Sequence, residues 1–218
     1  VVVTFADVEL ENINQDYTYH VDRARFDAEL LKHASELGAK VIEGVNVLRV
    51  NLDESGRATG VHVRLLGREM DLHSKFVVDA SGRRGLIGKQ MGLHEKDEQF
   101  DQMAIYSWFS GVDAPSPETK DYIHVHFLPV ERGWVWQIPI YEGITSVGAV
   151  IDKETFRKAG KDYGAFFDDV VQMSTNTKHI LKDATRVRDF YVEADYSYKM
   201  TEFVGNGWML IGDAASTR

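Results

Sequence analysis

The chain has 218 residues, 44% hydrophobic and 27% charged, which is enough apolar material for a sizeable core and a second lobe. Its formal net charge of -9 argues against a nucleic-acid partner, whose phosphates need a basic surface, and no apolar run approaches the ~18 residues of a membrane span. There is no cysteine, so disulfides, thiolate metal sites and a cysteine nucleophile are excluded, and a reducing cytoplasm is the expected setting.

In chain order, Val1-Val2-Val3-Thr4-Phe5 carries neither an initiating Met nor a leader pattern and reads as the interior of a longer protein. Tyr17 to Val21 alternates and predicts a strand. Asp22 is placed to cap a helix running from Arg23 to Leu37, with Phe26, Leu30, Leu31, Ala34 and Leu37 on one face and Gly38 closing it. Val41-Ile42 and Val45 to Val50 predict strands, Asn51 to Arg57 a hairpin turn, and Gly60 to Leu66 the returning strand. Lys75 to Val78 predicts a short buried strand that ends in Asp79-Ala80-Ser81-Gly82, with a helix following to about Met91. Glu95 to Glu98 reads as a solvated loop. Segments 102–110, 121–128, 134–140 and 145–151 are rich in β-branched and aromatic residues and predict an antiparallel sheet, with turns at Glu131-Arg132-Gly133 and Tyr141-Glu142-Gly143. A helical stretch is expected over 153–181, extended chain over 185–198 and a last buried strand at 208–211. That strand runs into Gly212-Asp213-Ala214-Ala215-Ser216-Thr217-Arg218 with no following helix, so both ends are expected to be truncated. The order is that of an α/β fold of mixed α+β character. The expected division is residues 1–95 as a partial domain, 96–200 as an antiparallel sheet lobe with helices, and 201–218 as the return to the first domain.

Two turns have the composition of a nucleotide site. Asp79-x-x-Gly82 and Gly212-Asp213-Ala214-Ala215 each end an apolar strand, and each places a carboxylate and a flexible backbone at a carboxyl edge where α/β folds bind ligands. Asp213 could reach a sugar hydroxyl, and a helix start there would favour a diphosphate. For the first turn alone, an Asp-capped strand-to-helix connection is the better explanation, and a helix cap is the alternative for the second; finding both in one chain shifts the balance toward a ligand site. A third feature is Trp134-x-Trp136-x-Ile138-Pro139. On a strand, Trp134 and Trp136 share a face and form either a paired aromatic wall or part of a core. His124 and His126 also share a face, but no third ligand of suitable spacing accompanies them, so no metal site is expected.

Arg23-x-x-Phe26-x-x-x-Leu30, Asp79-x-x-Gly82 and Gly212-Asp213-Ala214-Ala215, in that order, resemble the motifs of the FAD-dependent aromatic hydroxylase superfamily. The resemblance implies a partial Rossmann-like FAD-binding domain. It places Arg23, Asp79, Gly82, Gly212, Asp213 and Ala214 at the cofactor, with Val47 offering backbone contact to adenine. Trp134-x-Trp136-x-Ile138-Pro139, together with Thr145 to Val150 and Asp195-Tyr196-Ser197-Tyr198, resembles the flavin-dependent halogenases, and those of phenols and pyrroles more than those of tryptophan. The resemblance spans nearly the whole chain. It implies an enzyme that uses reduced FAD, O2 and chloride or bromide to halogenate an electron-rich aromatic through hypohalous acid, with Trp134, Trp136, Ile138 and Pro139 screening flavin from substrate. Partners implied are a separate flavin reductase supplying FADH2 and an aromatic small molecule, free or tethered to a carrier protein. The family's Gly-rich pyrophosphate turn, its catalytic Lys and its halide segment are not found here, so the chain alone is expected to bind FAD poorly. A flavin monooxygenase, a prenyl-lipid reductase of the same superfamily and a non-catalytic fragment are the alternatives.

Overall fold

The computed structural model describes residues 19–96, 101–141, 143–194 and 197–217. Residues 1–5, Tyr17, Thr18, Asp97, Glu98, Glu142, Asp195, Tyr196 and Arg218, used in the reading above, lie outside them.

Arg23–Glu36 (α1) follows Asp22, whose carboxylate accepts from the Ala24 amide at 3.0 Å as an N-cap. Its expected apolar face is present in the sequence but only lightly covered: Phe26, Leu30 and Leu31 are each close to half exposed. Val45–Leu52 (β1), Ala58–Leu65 (β2) and Arg68–His73 (β3) form an antiparallel meander. Val77–Asp79 (β4) passes through a 3-10 turn at Gly82–Arg84 into Leu86–Met91 (α2) and then His94–Lys96 (β5). Gln102–Ser110 (β6), His124–Phe127 (β7), Trp134–Tyr141 (β8) and Ile144–Asp152 (β9) follow. Lys153–Ala159 (α3), Tyr163–Gln172 (α4) and Thr175–Ile180 (α5) precede Thr185–Arg186 (β10) and Tyr191–Ala194 (β11). Tyr198–Met200 (β12), Val204–Gly205 (β13) and Trp208–Leu210 (β14) lead to a 3-10 turn at Gly212–Ala214 and Ser216–Thr217 (β15).

Five expectations need correction. Tyr19 to Val21 and Val41-Ile42 are not strands, because neither segment has a ladder partner among the described residues. The helix expected over 153–181 is three helices: Gly160 turns left-handed at φ 61° and Asp162 starts a new helix by accepting from the Ala165 amide. The strand before Asp79 is less buried than expected, since Phe76 and Val78 are about half exposed. His94 to Lys96, part of the expected loop region, pairs with β12.

The chain divides into two compact units. One, the sheet unit, contains the described residues up to Gly38 together with Met103–Glu193. Its six-stranded sheet has the order β10-β6-β9-β8-β7, with β11 also pairing β6. Alternate residues of β6, β8 and β9 (Met103, Ile105, Phe109, Val135, Val147, Ala149 and Ile151) are buried with Phe166, Phe167, Val170 and Val171 of α4.

The other, the turn unit, contains Ala39–Gln102 and the described residues from Ala194 on. Its core is Val50, Ala58, Ile87, Tyr198, Met200, Trp208 and Leu210. Here β4 and β14 run parallel, with Trp208 opposite Val77 and Leu210 opposite Asp79. The outer edge of β1 is closed by a side chain: Gln90 of α2 accepts from the Val50 amide and donates to the Val50 carbonyl, both at 2.8 Å.

Candidate functional site

The parallel pairing of β4 and β14 brings the two glycine turns to the same sheet edge. The ladder runs on through the Ile211 amide to the Asp79 carbonyl at 3.0 Å, so both turns leave neighbouring strands at their carboxyl ends. Gly82 (φ 62°) and Gly212 (φ 57°) both adopt the left-handed conformation that favours glycine. A Cβ added at either would meet no atom within 4 Å, so the space above both turns is open to an approaching ligand.

The two carboxylates have different surroundings. Asp79 is 5% exposed. One of its oxygens accepts from the Ser81 amide and the other from the Ile87 amide, each at 2.8 Å. It therefore shapes the turn and caps α2, and its carboxylate faces backbone rather than solvent. Asp213 is exposed, next to buried Ala214. A tyrosine joins the two turns: the buried Tyr198 hydroxyl donates to the Asp213 carbonyl and lies 3.5 Å from the Gly82 carbonyl. Burial, then the nearby charges of Asp213 and Asp79, hold this phenol above its ordinary pKa and keep it a donor. Sequence reasoning missed this role, because nothing local to Tyr198 says which carbonyls its hydroxyl will meet.

Val47 lies in the same unit, half-buried on β1 beside the register shift between Val47 and Arg49. Its neighbour Asn46 accepts from Arg84 of the Gly82 turn at 3.4 Å. Arg23 lies in the sheet unit, in the first turn of α1, exposed and paired through two hydrogen bonds of 3.0 Å with Asp27.

Trp134, Trp136 and Ile138 lie together on the sheet face opposite the α4 core, since the alternating partners Val135 and Gln137 are the buried ones. The Trp pair is therefore a half-buried wall and not core. Its rings are 5.8 Å apart, and the Trp136 indole N–H donates to the Ser146 hydroxyl at 3.1 Å. Trp136 faces Gly148 of β9 in the ladder. A Cβ at Gly148 would overlap the indole ring, so glycine there lets Trp136 lie flat across β9. Pro139 borders a cavity of about 420 Å3 that is also lined by His20, Lys120, Tyr141 and Thr145. On the opposite face, His124 and His126 stack 6.2 Å apart, and their Nε2 atoms meet the Thr119 carbonyl and the Gln137 side-chain oxygen. Burial holds His126 below the ordinary imidazole range.

Residues 5–215 match the family model for tryptophan halogenases. The chain belongs to that family. It is 45% identical over 217 residues to the 1H-pyrrole-2-carbonyl-[peptidyl-carrier protein] chlorinase of Pseudomonas fluorescens, covering 98% of this chain and 48% of that protein. It is 31% identical over 211 residues to the tryptophan 2-halogenase of Chondromyces crocatus, covering 94% of this chain and 40% of that protein. Among solved structures, the myxobacterial chondrochloren halogenase CndH, an FAD-dependent halogenase, aligns with a TM-score of 0.86 at 31% identity, covering 96% of this chain and 49% of that one. The mixed α/β fold is thus that of the FAD-dependent halogenases. The chain spans about half the length of the curated relatives it matches. Among the described residues, no helix is long and apolar enough to cross a membrane.

Proposed function

We propose that this chain is part of an FAD-dependent halogenase that chlorinates a pyrrole-2-carbonyl group held on a peptidyl carrier protein. The observation that carries the reading is the adjacency of two open glycine turns, in a chain 45% identical to a chlorinase of that substrate. A brominase of the same carrier-bound group from Pseudoalteromonas luteoviolacea is 28% identical over 204 residues, which favours the substrate class and leaves chloride as the better supported halide.

The residues present fit a flavin dinucleotide. Gly82 and Gly212 give backbone access to the ribityl and pyrophosphate stretch, and the exposed Asp213 carboxylate accepts from its sugar-type hydroxyls. Asp79 and Tyr198 hold the two turns in register without touching the ligand. Val47 offers backbone to the adenine, while a role for Arg23 at the cofactor rests on the family resemblance alone. When bound, reduced flavin supplies the oxygen activation that oxidation of a halide requires. The protein's share is orientation and exclusion, and the family resemblance gives Trp134, Trp136, Ile138 and Pro139 the screening role. A separate flavin reductase as the electron source and a cytoplasmic setting belong to the same proposal.

The test uses the full-length protein with a flavin reductase, NADH, FAD, O2 and chloride or bromide. Pyrrole-2-carbonyl carrier protein is offered beside free pyrroles and phenols, and products are read by mass spectrometry. A halogen isotope pattern on the carrier-bound pyrrole is the expected outcome. Halogenation of free acceptors alone would remove the carrier from the proposal, and hydroxylated product without halogen would overturn the halogenase reading.

A further inference from the structure

The aromatic face of the sheet carries more ring contacts than a screen needs. Trp134 lies 5.8 Å from Trp136, Trp136 lies 5.6 Å from Tyr106, and Tyr106 stacks on Tyr191 at 5.6 Å, all between ring centroids. The run passes from β8 to β6 although β9 lies between them in the sheet. Gly148 makes that crossing possible, because the Trp136 indole lies over the strand where a side chain would otherwise stand. Every step is at the spacing of aromatic contact. All four members are Trp or Tyr, the side chains that give up an electron most readily apart from thiols.

The run meets a cation at its far end. The Arg188 guanidinium sits 4.2 Å from the Trp108 centroid and 5.0 Å from that of Tyr191. A fixed positive charge over Trp108 opposes an indole radical cation there by direct repulsion. Tyr191 avoids that cost, because a phenol loses its proton on oxidation and becomes a neutral radical. Its oxygen accepts from Arg188 at 2.6 Å, which leaves its own proton for water, and the residue is 44% exposed.

We propose that Trp134, Trp136, Tyr106 and Tyr191 form a path for one-electron oxidation, draining oxidising equivalents from the Trp wall to the protein surface. The source of those equivalents, an oxygen- or halogen-derived oxidant made at the flavin, rests on the function proposed above; the path itself does not. Trp136 gives one electron to the oxidant and becomes an indole radical cation. Tyr191 returns an electron to Trp136 by way of Tyr106 and releases its phenolic proton to water. Trp136 is restored and a neutral tyrosyl radical remains. A low-molecular-weight thiol in solution then gives Tyr191 a hydrogen atom and leaves as a thiyl radical.

The experiment is flash photo-oxidation of the full-length protein without flavin, using a soluble ruthenium sensitiser and an electron-accepting quencher. Transient absorption follows indolyl and tyrosyl radicals, and a spin trap with peptide mass spectrometry locates them. The tyrosyl signal should rise as the indolyl signal decays, with adducts at Tyr191. Tyr106→Phe, which removes only a hydroxyl, should abolish the coupled rise and leave adducts at Trp136. Gly148→Ala, which displaces the indole, should do the same, and Tyr191→Phe should remove the terminal adduct alone. Unchanged kinetics in Tyr106→Phe, or adducts spread over the exposed Tyr19, Tyr122 and Tyr163, would overturn the path. No flavin enters this measurement, so its failure leaves the halogenation assay untouched, and the reverse holds too.

Discussion

Asp79 gives both carboxylate oxygens to backbone amides, whereas Asp213 presents its carboxylate to the surface. Substitution should separate the two. Asp79→Asn puts an amide donor against an N–H donor and should cost about 1–3 kcal/mol in urea denaturation. Asp213→Asn should leave stability within about 0.5 kcal/mol and weaken FAD binding measured by flavin fluorescence. At Gly148 the threat is overpacking: Gly148→Ala should cost about 1–3 kcal/mol and alter the near-ultraviolet dichroism of Trp136. The sequence showed that residues 79 and 213 were special but not that their uses differ. That difference comes from the turn after β4, which folds back so that the Ser81 and Ile87 amides both reach Asp79. Distance in the chain hid Tyr198, whose hydroxyl meets one carbonyl 116 residues away and another 15 residues away.

Among the elements, the β1–β3 meander contains a charge cluster with a pH signature. His62 of β2 holds Asp71 through Nδ1 at 2.8 Å and Glu69 through Nε2 at 3.0 Å, both on β3. Arg64 bonds Glu69, Asn51 bonds Asp71, and Arg49 of β1 opposes the His62 charge. The bonds to Glu69 and then Asp71 raise the His62 pKa, and the same bonds lower those of both acids. The imidazolium contribution is complete below the ordinary imidazole value of about 6.5 and is lost as pH rises through the raised value. The carboxylate contributions are lost in the other direction, as pH falls through their lowered values. Denaturation midpoints should therefore decline as pH rises above about 6.5 and through the raised His62 value in the native sequence, and His62→Gln should flatten that decline. Strand β3 escaped the sequence reading for the same reason that it holds this cluster. All six of its residues are exposed and four are polar, so its alternation is confined to Met70 and Leu72 and marks no buried face. The long strands β6, β8 and β9 were legible because they concentrate β-branched and aromatic residues, several of which are buried with α4.

At the scale of the whole molecule, the motifs were legible in order but their grouping was not. The Trp wall and Arg23 fall in one unit, and the two glycine turns and Val47 fall in the other, with the chain crossing between them more than once. Family membership was readable from the sequence because rare residues at fixed spacing, two Trp and an Ile-Pro, survive where periodicity is silent. For the full-length protein, FAD at a hundred times its dissociation constant should add about 2.7 kcal/mol to folding stability, and Asp213→Asn should lose part of that shift in thermal denaturation.

The Gln90 amide at the edge of β1 links α2 to the solubility of the turn unit. An open strand edge is a template on which another chain can add. Gln90 occupies that position with one donor and one acceptor, imitating a single residue of a neighbouring strand. Glutamate is nearly the same size and would keep α2 intact, but it has no N–H for the Val50 carbonyl. Loss of one nitrogen at residue 90, by mutation or by slow hydrolysis during storage, would thus unseal the edge and favour self-association without disturbing either glycine turn.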